Sequence, residues 1–345
     1  MKKVLAFALA LSMLLAALPA FAAEEVNVFN WVDFICEDAI NLFEAETGIK
    51  VNYMRFTTNE DMLVQVENDP KSYDVIFPSD YIIERLIAED LLEKLDYSQL
   101  PNATENTLDW LKTADYDPTG EYSVPYMWGT VGILYNKTMV SAPITSWTAM
   151  WDEQYYDNVF MMDSIRDTLG VTLKMLGYSM NTRDKDALNQ AKEKLIEQKK
   201  LNKTYWQTGD EFSKLFAAGQ VQVGLMWSGQ SATMKNEGEP IGYVVPEDGA
   251  IGWVDNWGIP ANSQNKDLAY KFIDFMLSKD VQYDWAANKG GPSPANQSAA
   301  EAIDPEYAAA CGMDEESLNR LQFMKYRTDE VKQAWNELWT EVKAS

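Results

Sequence analysis

Four short segments of the chain set an aromatic ring or a hydroxyl beside a carboxylate: NWVDF (30–34), PSDY (78–81), MWSGQ (226–230) and GWVD (252–255). In AIGWVDNWGIP (250–260), a strand period of two puts Trp253, Asp255 and Trp257 on one face. An indole or phenol face attracts a cation by roughly 0.5–2 kcal/mol and covers methylene groups at about 0.8 kcal/mol per CH2. A carboxylate adds a charge-assisted hydrogen bond to an ammonium. A linear chain with an amine at each end uses all three. Sugars also stack on tryptophan and bond to aspartate. The competing readings are therefore a carbohydrate-binding protein, or a carbohydrate hydrolase with paired acids such as Asp163 and Asp167 or Asp33 and Asp255. Nothing in the sequence fixes two carboxylates at a catalytic separation, and no enzymatic activity is expected.

A single W-x-D serves a packed indole and a capped turn equally well; the recurrence at four places argues for an acidic cleft lined by rings. DSIRD (163–167) adds Asp163 and Asp167 around Arg166, although acids there also suit the positive end of a helix dipole. DYDPTGEY (115–122) reads as a turn, because its D-x-D lacks the spacing and terminal glutamate of a calcium loop.

The 345 residues include 53 acidic and 29 basic side chains and no histidine. Without histidine the usual general base and the commonest zinc ligand are missing, and neither a metal nor a cofactor is expected. MKKVLAFALALSMLLAALPAFAA has the charged start, apolar run and small-x-small site of a secretory signal peptide, with cleavage expected after Ala22. Removing Lys2 and Lys3 with it leaves 53 acids against 27 bases, or −26. Such a field repels nucleic acid and anionic membrane and favours a cationic or neutral partner. The expectation is an exported protein of two domains, since about 320 residues exceed one core.

The elements that must position these groups follow from periodicity. VNVFNW (26–31), IKVNYMRF (49–56) and YDVIFPS (73–79) read as strands. Helices over 36–47, 59–68 (capped by Asn59) and 79–95 (capped by Ser79 or Asp80) alternate with them. That order predicts a parallel α/β sheet, which binds ligands beyond the carboxyl ends of its strands. A second α/β region has strands at 158–164, 221–229 and 241–247, helices at 165–178, 184–198 and 266–288, and a closing amphipathic helix with Trp335 and Trp339. The four aromatic–acid motifs are expected on elements of common orientation.

NWVDF, FEAETGIKVNY, SYDVIFPSDYIIERL, YSVPYMWGTVGILYN, SWTAMWDEQY, LMWSG, GWVDNWGIP and GPSPAN occur in the order seen in periplasmic spermidine/putrescine-binding proteins of ABC transporters, and the chain resembles that family from about residue 26 to 343. The resemblance implies a type II periplasmic-binding fold: two α/β lobes, a ligand cleft between them, and crossings near Gly129, Trp253 and Ser298. Lobe one would hold 24–129 plus 254–298, and lobe two 130–253 plus 299–345. It implies a monomeric periplasmic protein that captures a polyamine and delivers it to a membrane permease.

Matched by motif, Trp31, Asp33, Phe34, Ser79, Tyr81, Ser164, Asp167, Trp227, Trp253, Asp255 and Gln322 would face the ligand. Trp227 and Trp253 match the stacking tryptophans, and Asp255 the acid that holds an amine. Asp167 occupies a glutamate position. Ser164 stands where the spermidine-preferring pattern has aspartate, and Phe34 and Gly291 stand where it has tyrosines. Cys36 and Cys311 would fall in different lobes, where a disulfide would restrain closure, so they are expected to remain unpaired.

Overall fold

The computed structural model describes residues 24–32, 34 and 36–345. The expected signal peptide (1–22) and Asp33 lie outside the described residues. Strands β1 (Glu25–Trp31), β2 (Lys50–Phe56) and β3 (Val75–Ile76) form a parallel sheet in the order β2-β1-β3. Helices α1 (Glu37–Thr47), α2 (Asn59–Asn68) and α3 (Asp80–Ala88) connect and extend it. Helix α1 stops at Gly48, which takes the left-handed conformation (φ 72°) and returns its N–H to Glu44.

Three local expectations change here. The cap of α2 is Thr58, whose hydroxyl accepts the Asp61 N–H at 3.0 Å. Asn59 is instead fully buried and accepts the Ser79 N–H at 3.2 Å. β3 is only two residues long, and α3 ends at Ala88 rather than 95. Leu92 keeps the helical spacing in sequence, but it bridges to Pro260 as extended chain, so tertiary pairing overrides the local pattern.

The second sheet contains β4 (Val124–Asn136), β5 (Val159–Met162), β6 (Asn202–Trp206), β7 (Val223–Trp227), β8 (Ile241–Val244), β9 (Ala250–Trp257), β10 (Ser293–Pro294) and β11 (Leu321–Phe323). Its path is β11-β9-β4-β7-β5-β6, with β8 and β10 paired to β4. The 13-residue β4 had no assignment from periodicity, because VPYMWGTVGILYN is buried on both faces and shows no alternation. It runs antiparallel to β7, β8, β9 and β10. β7 and β9 therefore run the same way, but the bridges of Ile76 to Gly258 and Ser79 to Asp255 set β9 against β3, so the four motifs fall into two opposed pairs rather than sharing one orientation, and Asp255 sits within β9 rather than beyond a strand end.

Around this sheet pack α4 (Ile165–Met175), α5 (Lys185–Lys199), α6 (Gly209–Ala217), α7 (Ser228–Asn236) and α9 (Asp329–Ala344), while α8 (Lys266–Met276) returns to the first sheet. The expected helix over 266–288 breaks after α8 into a short helix at Lys279–Tyr283 and a π turn at Asp284–Asn288. One apolar core gathers Phe43, Phe77, Tyr126, Trp257 and Phe272 beside the first sheet. Trp257 lies 4.2 Å from Phe77 and 5.5 Å from Phe272, so it is a packing residue of that half. The larger core continues through β4 and β7 to α5 and α9. Cys36 and Cys311 are separate buried thiols.

Candidate ligand-binding site

The long antiparallel pair β4 and β9 carries the chain between the two halves, and Gly129 faces Trp253 in its register. A side chain at 129 would collide with the Trp253 ring and the Ser228 hydroxyl; glycine lets the indole lie on the strand. The half-buried Trp253 meets Phe34 edge-on at 6.0 Å, and Trp31 stacks at a tilt on Phe56 at 4.6 Å. Trp227, at the end of β7, stands against the buried Trp206 at 5.1 Å. These four rings are half-buried, as walls of a groove require.

Two residues beyond Trp253, Asp255 is 5 % exposed. Ser79 bridges to it from the end of the first sheet, donating its hydroxyl to Asp255 Oδ1 at 2.6 Å. Ser79 occupies the cap position of α3 yet makes no side-chain cap bond; its hydroxyl serves the acid. Burial pushes the Asp255 carboxyl up to about 7, against the downward pull of the Ser79 bond. Asp80 is also buried. Its Oδ1 accepts the Tyr81 N–H at 2.7 Å, its Oδ2 has no partner among the described residues, and burial raises its proton affinity well above the usual carboxylate range.

Across the groove, Ser164 caps α4 and donates to Asp167 Oδ2 at 2.5 Å. Burial raises Asp167 as well, opposed by the Ser164 bond and by the Arg166 and Arg327 charges. Arg166 reaches back to the first half, with its guanidinium 3.8 Å above the Tyr81 ring centre and 3.2 Å from Glu60. The Tyr81 hydroxyl lies 3.4 Å from Glu60. Tyr81 is thus beside the groove with one face already covered.

Two sequence-level residues have other duties. Asp163 accepts bonds from Trp339 Nε1, Lys343 and Gln207, which ties α9 to the end of β5; it is an anchor, not half of an acid pair. Gln322 spends its amide on its own half, accepting the Met180 N–H at 3.0 Å and donating to Ser179 at 2.7 Å. Periodicity and motif matching passed over Glu60, Trp285 and Arg327; Asp80 stood out only as the acid of PSDY and a possible helix cap. Trp285 fills the space beside Gly291, where the family pattern has a tyrosine. No spacing in the sequence links these positions to the groove; only the fold brings them there.

A two-halved α/β chain, with rings on both sides of a crossing strand pair and an acid buried at its centre, is the architecture of a solute-binding protein. The chain belongs to the bacterial extracellular solute-binding protein family, whose profile matches residues 38–314. It is 32% identical over 301 residues to the spermidine/putrescine-binding periplasmic protein of Salmonella typhimurium, covering 87% of this chain and 85% of that one. It is 31% identical over 360 residues to the putrescine/cadaverine-binding protein of Pseudomonas aeruginosa, with 99% of each covered. The solved spermidine/putrescine ABC transporter substrate-binding protein of Streptococcus pneumoniae superposes with a TM-score of 0.82 at 31% identity, over 93% of this chain and 99% of that one. The carbohydrate reading gains nothing from these relatives.

Proposed function

We propose that this protein is the extracytoplasmic capture component of an ABC importer for polyamines, which it hands to a membrane permease. The observation that carries the reading is the acid at the crossing. Asp255 is buried, braced by one serine and flanked by the Trp253 indole, so a methylene chain ending in an ammonium gains ring contact and a desolvated carboxylate together. Named polyamine-binding relatives that cover nearly the whole chain support it.

The boundaries proposed for the lobes, 24–129 plus 254–298 and 130–253 plus 299–345, are supported by the Gly129–Trp253 pairing. The pairing of β10 with the first half of β4, and of β11 with the start of β9, agrees with them. A polyamine would bridge Asp255 and Asp167 between walls formed by Trp31, Phe34, Trp227 and Trp253, and closing the lobes would present the loaded form to the permease. Export with cleavage after Ala22, and a monomeric state, belong to the same reading.

Calorimetry on protein beginning at residue 23, at low ionic strength, tests it with putrescine, spermidine, spermine and maltose. At least one amine binds and the sugar does not. A sugar that binds where every amine fails refutes the proposal.

A further inference from the structure

The stretch after α8 is wound as a π turn at Asp284–Asn288 and then runs through Lys289, Gly290, Gly291 and Pro292 into β10. Such turns are rare and recur where a helix is adjusted locally for function. This one presents carbonyls to α7. The Thr233 hydroxyl donates to the Gly290 carbonyl at 2.9 Å, with a longer approach to Gly229 of its own helix at 3.2 Å, and Asn236 Nδ2 donates to the Ala287 carbonyl at 3.4 Å. These bonds involve none of the rings or acids of the groove.

The surfaces that meet are backbone on backbone. Gly290 is left-handed (φ 74°), and a Cβ on it would come within 2.6 Å of the Thr233 Cα and 2.7 Å of its nitrogen. On the helix side, a Cβ on Gly229 would come within 3.0 Å of the Pro292 ring. The same helix is tied to the strand crossing, because the buried Ser228 hydroxyl accepts the Thr130 N–H at 3.0 Å, one residue beyond Gly129. Under the proposed lobe boundaries α7 belongs to the second lobe and 284–292 to the first, so the lobes touch here as well as across the groove. Where glycine strips the seam of side chains, one backbone turns on the other with no rotamers to displace, and the directional bonds fix the angle.

We infer that the seam between α7 and the π-turn segment is a pivot that sets how readily the lobes close, with the Thr233–Gly290 bond holding the setting seen here, in which Arg166 also reaches Glu60 and Tyr81 across the groove. The inference goes beyond the polyamine reading and rests on its two-lobe boundaries.

Thr233→Val removes the hydroxyl and keeps the shape of the side chain; Thr233→Ser keeps the hydroxyl. Small-angle X-ray scattering on the free mature chain is expected to give a larger radius of gyration for Thr233→Val than for the unmodified protein. Calorimetry should show putrescine or spermidine bound about fivefold more weakly, as expected for one neutral hydrogen bond. Thr233→Ser should match the unmodified protein in both. Circular dichroism verifies folding, and Asn236→Ala, which removes the second bond, replaces Thr233→Val if that variant does not fold. A seam that only stabilises the fold would lower the urea midpoint and leave radius and affinity unchanged; that result overturns the inference, as does Thr233→Ser behaving like Thr233→Val. If no linear amine binds, the polyamine reading falls, while the scattering comparison on the free chain still decides for or against the pivot.

Discussion

Burial of Asp255 makes ligand affinity depend on pH. In the free protein burial lifts it from the ordinary 3.8 to about 7. An ammonium needs the carboxylate form, whereas below neutrality the free site holds a proton. The ligand's amines, with lysine-like affinities near 10, stay charged throughout. Affinity should therefore be flat above pH 8 and fall about tenfold per unit below 7, for a loss of about 100-fold between pH 8 and pH 5. Stability runs the other way. An acid whose proton affinity is higher in the folded than in the unfolded chain destabilises the fold as it ionises. That cost begins near 3.8 and is complete above 7, about 4 kcal/mol as an upper bound.

Asp255→Asn separates the two effects, since the amide can still accept the Ser79 hydroxyl. The variant should bind at least tenfold more weakly at pH 8, show a shallower affinity profile that retains only the contribution of the other raised acids, Asp167 and Asp80, and melt at a higher temperature than the unmodified free protein at pH 8. Calorimetry in two buffers of different ionisation enthalpy at pH 6.5 should register proton release on binding for the native chain and less for the variant. An affinity that does not change between pH 5 and pH 8, or a variant that keeps the native profile, refutes the assignment.

Further outcomes follow from individual contacts. Gly129→Ala pushes a methyl into the Trp253 ring and should cost about 1–3 kcal/mol of stability along with at least tenfold in affinity, read by thermal melting and calorimetry. Trp253→Leu keeps apolar cover over Gly129 but loses the π face, so binding should weaken tenfold or more while the melting temperature changes little. Asp163→Ala removes the acceptor for Trp339 and Lys343; unfolding in urea should show about 1–3 kcal/mol lost, with affinity within twofold of native. A large affinity loss there would mean that Asp163 touches ligand after all.

Much of the frame was legible because its signals are local. The alternation of β1, α1, β2 and α2 and the stop at Gly48 follow from apolar spacing and a single left-handed residue. The long β4 was not, since a strand covered on both faces has no period to read. Direction was equally hidden: whether β9 runs with or against its neighbour depends on the partner, and antiparallel pairing with β4 moved Asp255 from a strand end to a crossing. At the site, Asp255 and Trp253 could be inferred from two positions of one strand. Arg166 over Tyr81 joins segments 85 residues apart, and no spacing encodes such a meeting.

The crossing also explains why one strand carries both wall and acid. Trp253 lies opposite Gly129 where the paired strands pass between the halves, and Asp255 lies two residues further on, opposite Met127 and bonded to Ser79 of the first half. With the proposed lobe boundaries, a rotation of the halves about this pair would move Trp227 and Asp167 with the second half while Asp255 stays with the first. An ammonium held at Asp255 would then meet the opposing walls on closure; the Arg166 contacts with Glu60 and Tyr81, made in this structure, join the same two halves. That link is half-exposed at both carboxylate and guanidinium, so it contributes about 0–1 kcal/mol by itself. It is too weak to shut the empty protein, and the burial of ligand methylenes between the rings must supply the remainder.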